Sequence, residues 1–165
     1  MLERRLVGPA DAAFLRELYA TTRPEVDSWD EAERNVFLEI QFQAQELGWV
    51  DRFPDSHHEL ILLDGRPVGR LWVAWSAKEC RLVDMTLLPA HRRSGIGTRV
   101  VGDVLAEAER AGVPARLTVE RTNVASLAFC ERLGFRVLAE DSVFVTLERA
   151  VSPASPPRAS RATSR

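Results

Sequence analysis

Residues 87–101 read LLPAHRRSGIGTRVV, and no other stretch restricts the possible folds so tightly. A β-branched and apolar run over residues 81–88 stops at Pro89. Two arginines and two glycines follow, and an amphipathic segment then runs from residue 98 to about residue 111. Strand, glycine loop and helix, in that order, make an anion-binding element. Gly95 and Gly97 let the backbone turn sharply and come close to a ligand. The first-turn amides of the helix lack intrahelical partners, so they point outward with the positive end of the macrodipole behind them. Arg92 and Arg93 add mobile charge beside these fixed donors. The spacing is neither the GxxxxGK of a P-loop nor the GxGxxG that follows the first strand of a dinucleotide fold.

The rest of the chain falls into order around this stretch. Residues 2–7 alternate as a short first strand, ended by Gly8-Pro9. Phe14, Leu15, Leu18 and Tyr19 form the stripe of an amphipathic helix that ends at Thr22-Arg23-Pro24. Ser28 and Glu31 read as a capping box. The helix they open is expected to run to about Leu47, with Val36, Phe37, Ile40, Phe42 and Leu47 as its apolar set and Gly48 as its stop. Residues 53–58 read as a turn, residues 59–63 as a strand and Asp64-Gly65 as a tight hairpin signal. Residues 68–75 and 79–88 continue an antiparallel meander into the glycine loop. Leu71, Val73 and Trp75 are expected on one face of the middle strand. Beyond Gly112-Val113-Pro114 come a strand over residues 116–119 and a helix over residues 123–133 with Gly134 at its C′ position. Strands over residues 135–139 and 143–147 finish the order.

Two motifs carry a family resemblance. Arg92, Gly95 and Gly97 fit Arg/Gln-x-x-Gly-x-Gly, and NVASLAFCERLGFR from Asn123 fits Asn-x-x-Ala-x-x-Phe-Tyr-x-x-x-Gly-Phe. The chain thus resembles the GNAT superfamily of N-acetyltransferases over residues 1 to about 149. Many members carry glycine where this chain has Arg93, and tyrosine where it has Cys130. The resemblance implies an α/β (α+β) fold: a mixed, mostly antiparallel twisted sheet flanked by about four helices and splayed apart at the acyl-CoA site. It further implies acetyl-CoA as acyl donor, with the pantetheine along Met85, Thr86 and Leu87. The pyrophosphate would lie on Arg92, Arg93, Ser94, Gly95, Ile96, Gly97 and Thr98. Asn123 would hydrogen-bond the pantetheine or an acceptor water, and Ser126 and Phe129 would border the cofactor. Trp29, Phe37, Phe42, Trp49 and Phe53 fall where the family builds a wall of the acceptor pocket. Their density points to an acceptor with an apolar part, although each is more often a core residue.

Direct transfer needs a neutral amine, so a base must take a proton from the ammonium. The family often uses an acid on the strand entering the glycine loop, which matches Glu79 or Asp84 here. Asp84 is preferred because an ionised carboxylate among Val83, Met85 and Leu87 needs a reason to be there; the competing readings are that it faces solvent or pairs with a nearby arginine. His57, His58, Glu39 and Glu120 are reserves. Cys130 has three readings: acid for the departing thiolate, packing residue, or covalent acyl carrier. Packing is favoured. The implied acceptor is a primary amine of a small molecule or peptide, and the alternative is a non-catalytic acyl-CoA sensor or scaffold.

Composition narrows the remaining classes. A chain of 165 residues, 45% hydrophobic and 28% charged, suits one folded unit. A formal net charge of −2 gives no whole-molecule attraction to nucleic acid or to an anionic membrane. Lys78 is the one lysine, and the arginines are scattered among acids. Cys80 and Cys130 are too few for a disulfide framework or a zinc site, so no metal is expected. No apolar run approaches the ~18 residues of a membrane span. A cytoplasmic enzyme is therefore expected, and a homodimer is left open. Residues 151–165 (VSPASPPRASRATSR) are expected to be a disordered tail, leaving residues 1–150 as the acetyltransferase domain. The tail holds three arginines and no acid, so residues 1–150 carry −5.

Overall fold

Period-two patterning gives each central strand two apolar faces, so helices must cover both. The computed structural model, which describes residues 1–152, solves this with one open seven-stranded sheet. The elements are β1 (Leu2–Leu6), α1 (Ala12–Ala20), α2 (Glu31–Arg52), β2 (His57–Leu63), β3 (Arg66–Trp75), β4 (Cys80–Leu87), α3 (Ile96–Ala111), β5 (Ala115–Glu120), α4 (Val124–Arg132), β6 (Arg136–Glu140) and β7 (Phe144–Arg149). The strand order is β1-β2-β3-β4-β5-β7-β6, antiparallel everywhere except between β4 and β5. This is the mixed, mostly antiparallel sheet with four helices that the motifs implied. The expected disordered tail lies, from residue 153 on, outside the described residues.

Two cores sit on opposite faces. Leu60 and Leu62 of β2 join Leu15, Tyr19, Val26, Leu38 and Phe42 under α1 and α2. Ile61, between them in sequence, joins Leu71, Val73 and the buried stripe of α3 (Ile96, Val100, Val101, Val104, Leu105 and Ala108). The β2–β3 hairpin turns at Asp64 and Gly65, whose φ angles of +50° and +77° are those a two-residue turn requires.

The expectations for α2 need correction in three respects. Asp30, not Ser28, caps it, accepting the Ala32 amide at 3.0 Å. The helix also runs through Gly48 to Arg52. A helical glycine costs only about 1 kcal/mol relative to alanine, whereas the residue before a proline is driven out of the helical region. The stop is therefore Phe53, ahead of Pro54, with φ −133° and ψ 66°. Third, the inward stripe is Leu38 and Phe42, while Val36, Ile40 and Leu47 are exposed. Strand β2 likewise starts two residues early, because His57 and His58 pair with Val73 and Trp72.

Candidate active site

A gap opens at the parallel step of the sheet. β4 and β5 pair only at Cys80↔Ala115 and Arg81↔Arg116, and then part. Just beyond, the β3–β4 register passes from Val73↔Leu82 to Trp72↔Asp84, so Val83 is an extra residue bulged out of the ladder. A cavity of about 430 Å³ fills the gap. Residues 82–86 line one side and residues 117–120 the other. Asn123, Ser126, Phe129 and Cys130 of α4 close one end, and Leu18, Tyr19, Thr22 and Arg23 of the α1 end close another.

The glycine loop abuts this cavity. Gly95 precedes α3 with φ +86°, a left-handed conformation that costs glycine nothing. No side chain caps α3, so its first amides keep their hydrogen-bonding capacity. A Cβ on Gly97 would stand 3.3 Å from Met85 Cε and 3.6 Å from Phe129 Cζ. The helix start therefore lies against Met85 on one side of the cavity and Phe129 at the end that α4 closes. Arg93 sits at φ +58°, a strained choice for a side-chain-bearing residue and the place where the family often has glycine. Arg92 is engaged within the chain: its Nε donates to the Leu87 carbonyl at 2.9 Å, and Nη2 to Thr21 Oγ1 at 3.3 Å. Ser94 Oγ donates to the His91 carbonyl at 2.6 Å.

Asp84 faces the helical layer of α1 and α2 and meets an arginine that the sequence reading overlooked. Arg70, 3% exposed, donates from Nε to Asp84 Oδ2 (2.6 Å), from Nη1 to Glu46 Oε1 (2.7 Å) and from Nη2 to Gln45 Oε1 (2.9 Å). Its Cζ lies 5.0 Å from the Trp49 ring. Thr86 Oγ1 donates to Asp84 at 3.1 Å. Burial raises the pKa of Glu46, opposed by the charge of Arg70. His58 stacks on Trp72, with ring centroids 4.1 Å apart. Burial, helped by the Arg70 charge, lowers its pKa to about 4. The signal for Arg70 was available: one charge in the apolar run VGRLWVAW.

Among the expected site residues, Asp84, Met85, Thr86, Asn123, Ser126, Phe129 and Cys130 line the cavity together, while Leu87 and residues 92–98 lie outside its lining. Asn123 spends its Oδ1 capping α4, accepting the Ser126 amide at 3.1 Å. Cys130 is 5% exposed, and burial pushes its thiol up to about 11. Of the reserves, Glu120 lines the cavity, whereas Glu39 is held by Arg16 at 2.6 Å. The aromatic wall is a correction. Trp29, Phe37, Phe42, Trp49 and Phe53 do not line the cavity, and α2 contributes Gln45 to it. Several of those rings instead pair among themselves or with the sheet, as Trp49 does with Trp72 at 5.2 Å.

The sequence model described as "Acetyltransferase (GNAT) family" matches residues 13–135, from α1 to the end of the α4 motif. The chain belongs to the GNAT family of acetyltransferases. Solved structures agree on the fold. The PaiA N-acetyltransferase of Thermoplasma acidophilum, in complex with coenzyme A, has a TM-score of 0.70 and 18% identity, over 91% of this chain and 99% of its own. An acetyltransferase from Thermus thermophilus has a TM-score of 0.67 and 20% identity, over 90% and 96%. A GNAT family acetyltransferase from Elizabethkingia anophelis, with acetyl-CoA bound, has a TM-score of 0.56 and 12% identity, over 63% and 82%. Among the described residues, no helix of this GNAT protein is long and apolar enough to cross a membrane.

Proposed function

We propose that this GNAT protein transfers an acetyl group from acetyl-CoA to a primary amine of a small molecule or peptide, directly and without a covalent enzyme intermediate. The observation that carries the reading is the parting of β4 from β5 beside an uncapped α3 N-terminus. A slot between two strands suits a narrow pantetheine arm, and free amides at a helix start suit a pyrophosphate. The residues proposed to hold the donor are therefore the backbone of Met85, Thr86 and Leu87, and the loop from Arg92 to Thr98. Asn123, Ser126 and Phe129 would border it. Acetyl-CoA supplies an activated thioester carbonyl.

The chain's own residues must then bring an amine to that carbonyl and remove its proton. Val83, bulged out of the β3–β4 ladder and lining the cavity, is proposed to offer its amide to the thioester oxygen. Asp84, fixed by Arg70 and Thr86 and lining the cavity, is proposed to take the ammonium proton, directly or through a water. In the net reaction a C–N bond forms and the C–S bond breaks. The nitrogen loses two protons. One passes through Asp84 to solvent before attack. The second, lost as the adduct collapses, balances the one the CoA thiolate takes up, so CoA departs as its thiol and one proton is released overall. Cys130 is proposed to pack beside that thiol while water returns its proton. Free, buried Cys80 and Cys130 suit the reducing cytoplasm, which we take as the compartment.

The ion pair between Asp84 and Arg70 favours a second reading, an acyl-CoA sensor without turnover. Incubation with acetyl-CoA and a panel of amines separates the two. Release of free thiol with an equal amount of N-acetylated product is expected. Tight acetyl-CoA binding with no thiol release across the panel would leave the sensor.

A further inference from the structure

The cavity contains two arginines, and they are in opposite states. Arg70 is neutralised from two sides, by Asp84 and Glu46. One guanidinium between two carboxylates leaves that buried cluster with one formal negative charge. Glu120, at the end of β5, adds a second carboxylate to the lining. Arg23 closes the cavity at the end of α1 and has no carboxylate within 4.0 Å among the described residues. It is nonetheless held in place. Its Nε donates to Tyr19 Oη at 3.1 Å, its Nη1 lies 3.4 Å from the Thr22 carbonyl, and its Cζ stands 5.0 Å from the Tyr19 ring. Tyr19 is 3% exposed, so this support is rigid. No hydrogen-bond partner engages Nη2 among the described residues.

A cation near the C-terminal end of α1 gains something from the helix dipole. That gain explains neither the fixed posture nor the unengaged Nη2 of a residue that lines the cavity. One cavity therefore offers a negative cluster at Asp84 and a pre-positioned, unpaired guanidinium at Arg23. Guanidinium forks match carboxylates in geometry as well as charge. We propose that the acceptor is an amino-carboxylate, a small molecule with a primary amine and a carboxylate, whose carboxylate binds Arg23 while its amine faces Asp84. This rests on the acetyltransferase reading above and names its substrate class.

The test uses the full chain with acetyl-CoA and matched probes: L-methionine against L-methioninamide, L-phenylalanine against L-phenylalaninamide, and spermidine as an amine without a carboxylate. Thiol release gives kcat/KM for each, and calorimetry gives the acetyl-CoA affinity. The expected result is a carboxylate-over-amide preference of about tenfold or more in at least one pair, the size of a lost charge-assisted hydrogen bond. In Arg23→Gln the ratio should fall to about one, and in Arg23→Lys it should keep its direction, with acetyl-CoA affinity the same in all three proteins. A ratio near one in the native protein, a preference surviving in Arg23→Gln, or spermidine matching the best amino acid would overturn the substrate class alone. Weakened acetyl-CoA binding in a folded Arg23→Gln protein would move Arg23 to the donor's phosphates and overturn it too. Thiol release from none of the probes or amines, with acetyl-CoA still bound, would remove the catalytic reading and this one together.

Discussion

At the scale of single residues, Cys130 occupies the place where the family motif carries a tyrosine, and its surroundings restrict what a thiol can do there. It is buried in the core that includes Phe135 and α3, and burial holds its pKa near 11. At neutral pH it is protonated, so it is a poor nucleophile. As an acid it gives up its proton reluctantly. Cys130→Ala should therefore keep kcat within about tenfold of the native value, a barrier change of at most roughly 1.4 kcal/mol. Steady-state kinetics with acetyl-CoA affinity measured alongside check this. A far larger loss at unchanged affinity would make the thiol part of the chemistry, since general-acid terms contribute about 10²–10⁴-fold.

At the scale of elements, the junction of β4, the glycine loop and α3 is where packing and ligand binding share atoms. Gly97 lets the first turn of α3 approach Met85 and Phe129, and Gly95 supplies the left-handed turn before it. Valine at position 97 would push on both neighbours, an overpacking cost of about 1–3 kcal/mol. It would displace the helix start on which the proposed pyrophosphate site depends. Gly97→Val should thus weaken acetyl-CoA at least tenfold in calorimetry while circular dichroism still reports a folded sheet. Unchanged affinity in that folded variant would detach the loop from donor binding. Arg93, at φ +58°, shows the same junction tolerating strain.

For the whole molecule, the buried polar layer between α2 and the sheet ties stability to pH. His58 titrates near 4 in the folded chain, against 6.5 for the free side chain. The unfolded chain takes up that proton first as pH falls. This contribution is thus complete above about pH 6.5 and is lost as pH drops toward 4, on the order of 3 kcal/mol in all. The raised Glu46 acts the other way, because the folded chain then binds its proton earlier. Urea unfolding of the native protein and of His58→Phe, at pH 7.5 and 4.5, isolates the histidine. The native protein should lose more stability between the two, and equal losses would assign the acid sensitivity elsewhere.

The sequence by itself determined the parts whose causes are local. The glycine loop, the α4 motif with its Gly134 stop, and the Asp64-Gly65 turn rest on φ preferences and short-range hydrogen bonds. Neighbouring residues alone specify these. The order of strands and helices followed from the same local signals, and with the two motifs it implied the fold. Tertiary structure decided what depends on distant partners. Arg70 reaches Asp84, Glu46 and Gln45 across 14, 24 and 25 residues, so no local window shows that a buried charge there is satisfied. The inward face of α2 was likewise undetermined, because apolar residues lie on both its faces and only contact with the sheet chooses Leu38 and Phe42. That choice moved the aromatic residues of α2 off the cavity. Tyr19 at the end of α1 and Arg23 in the turn after it line the cavity instead.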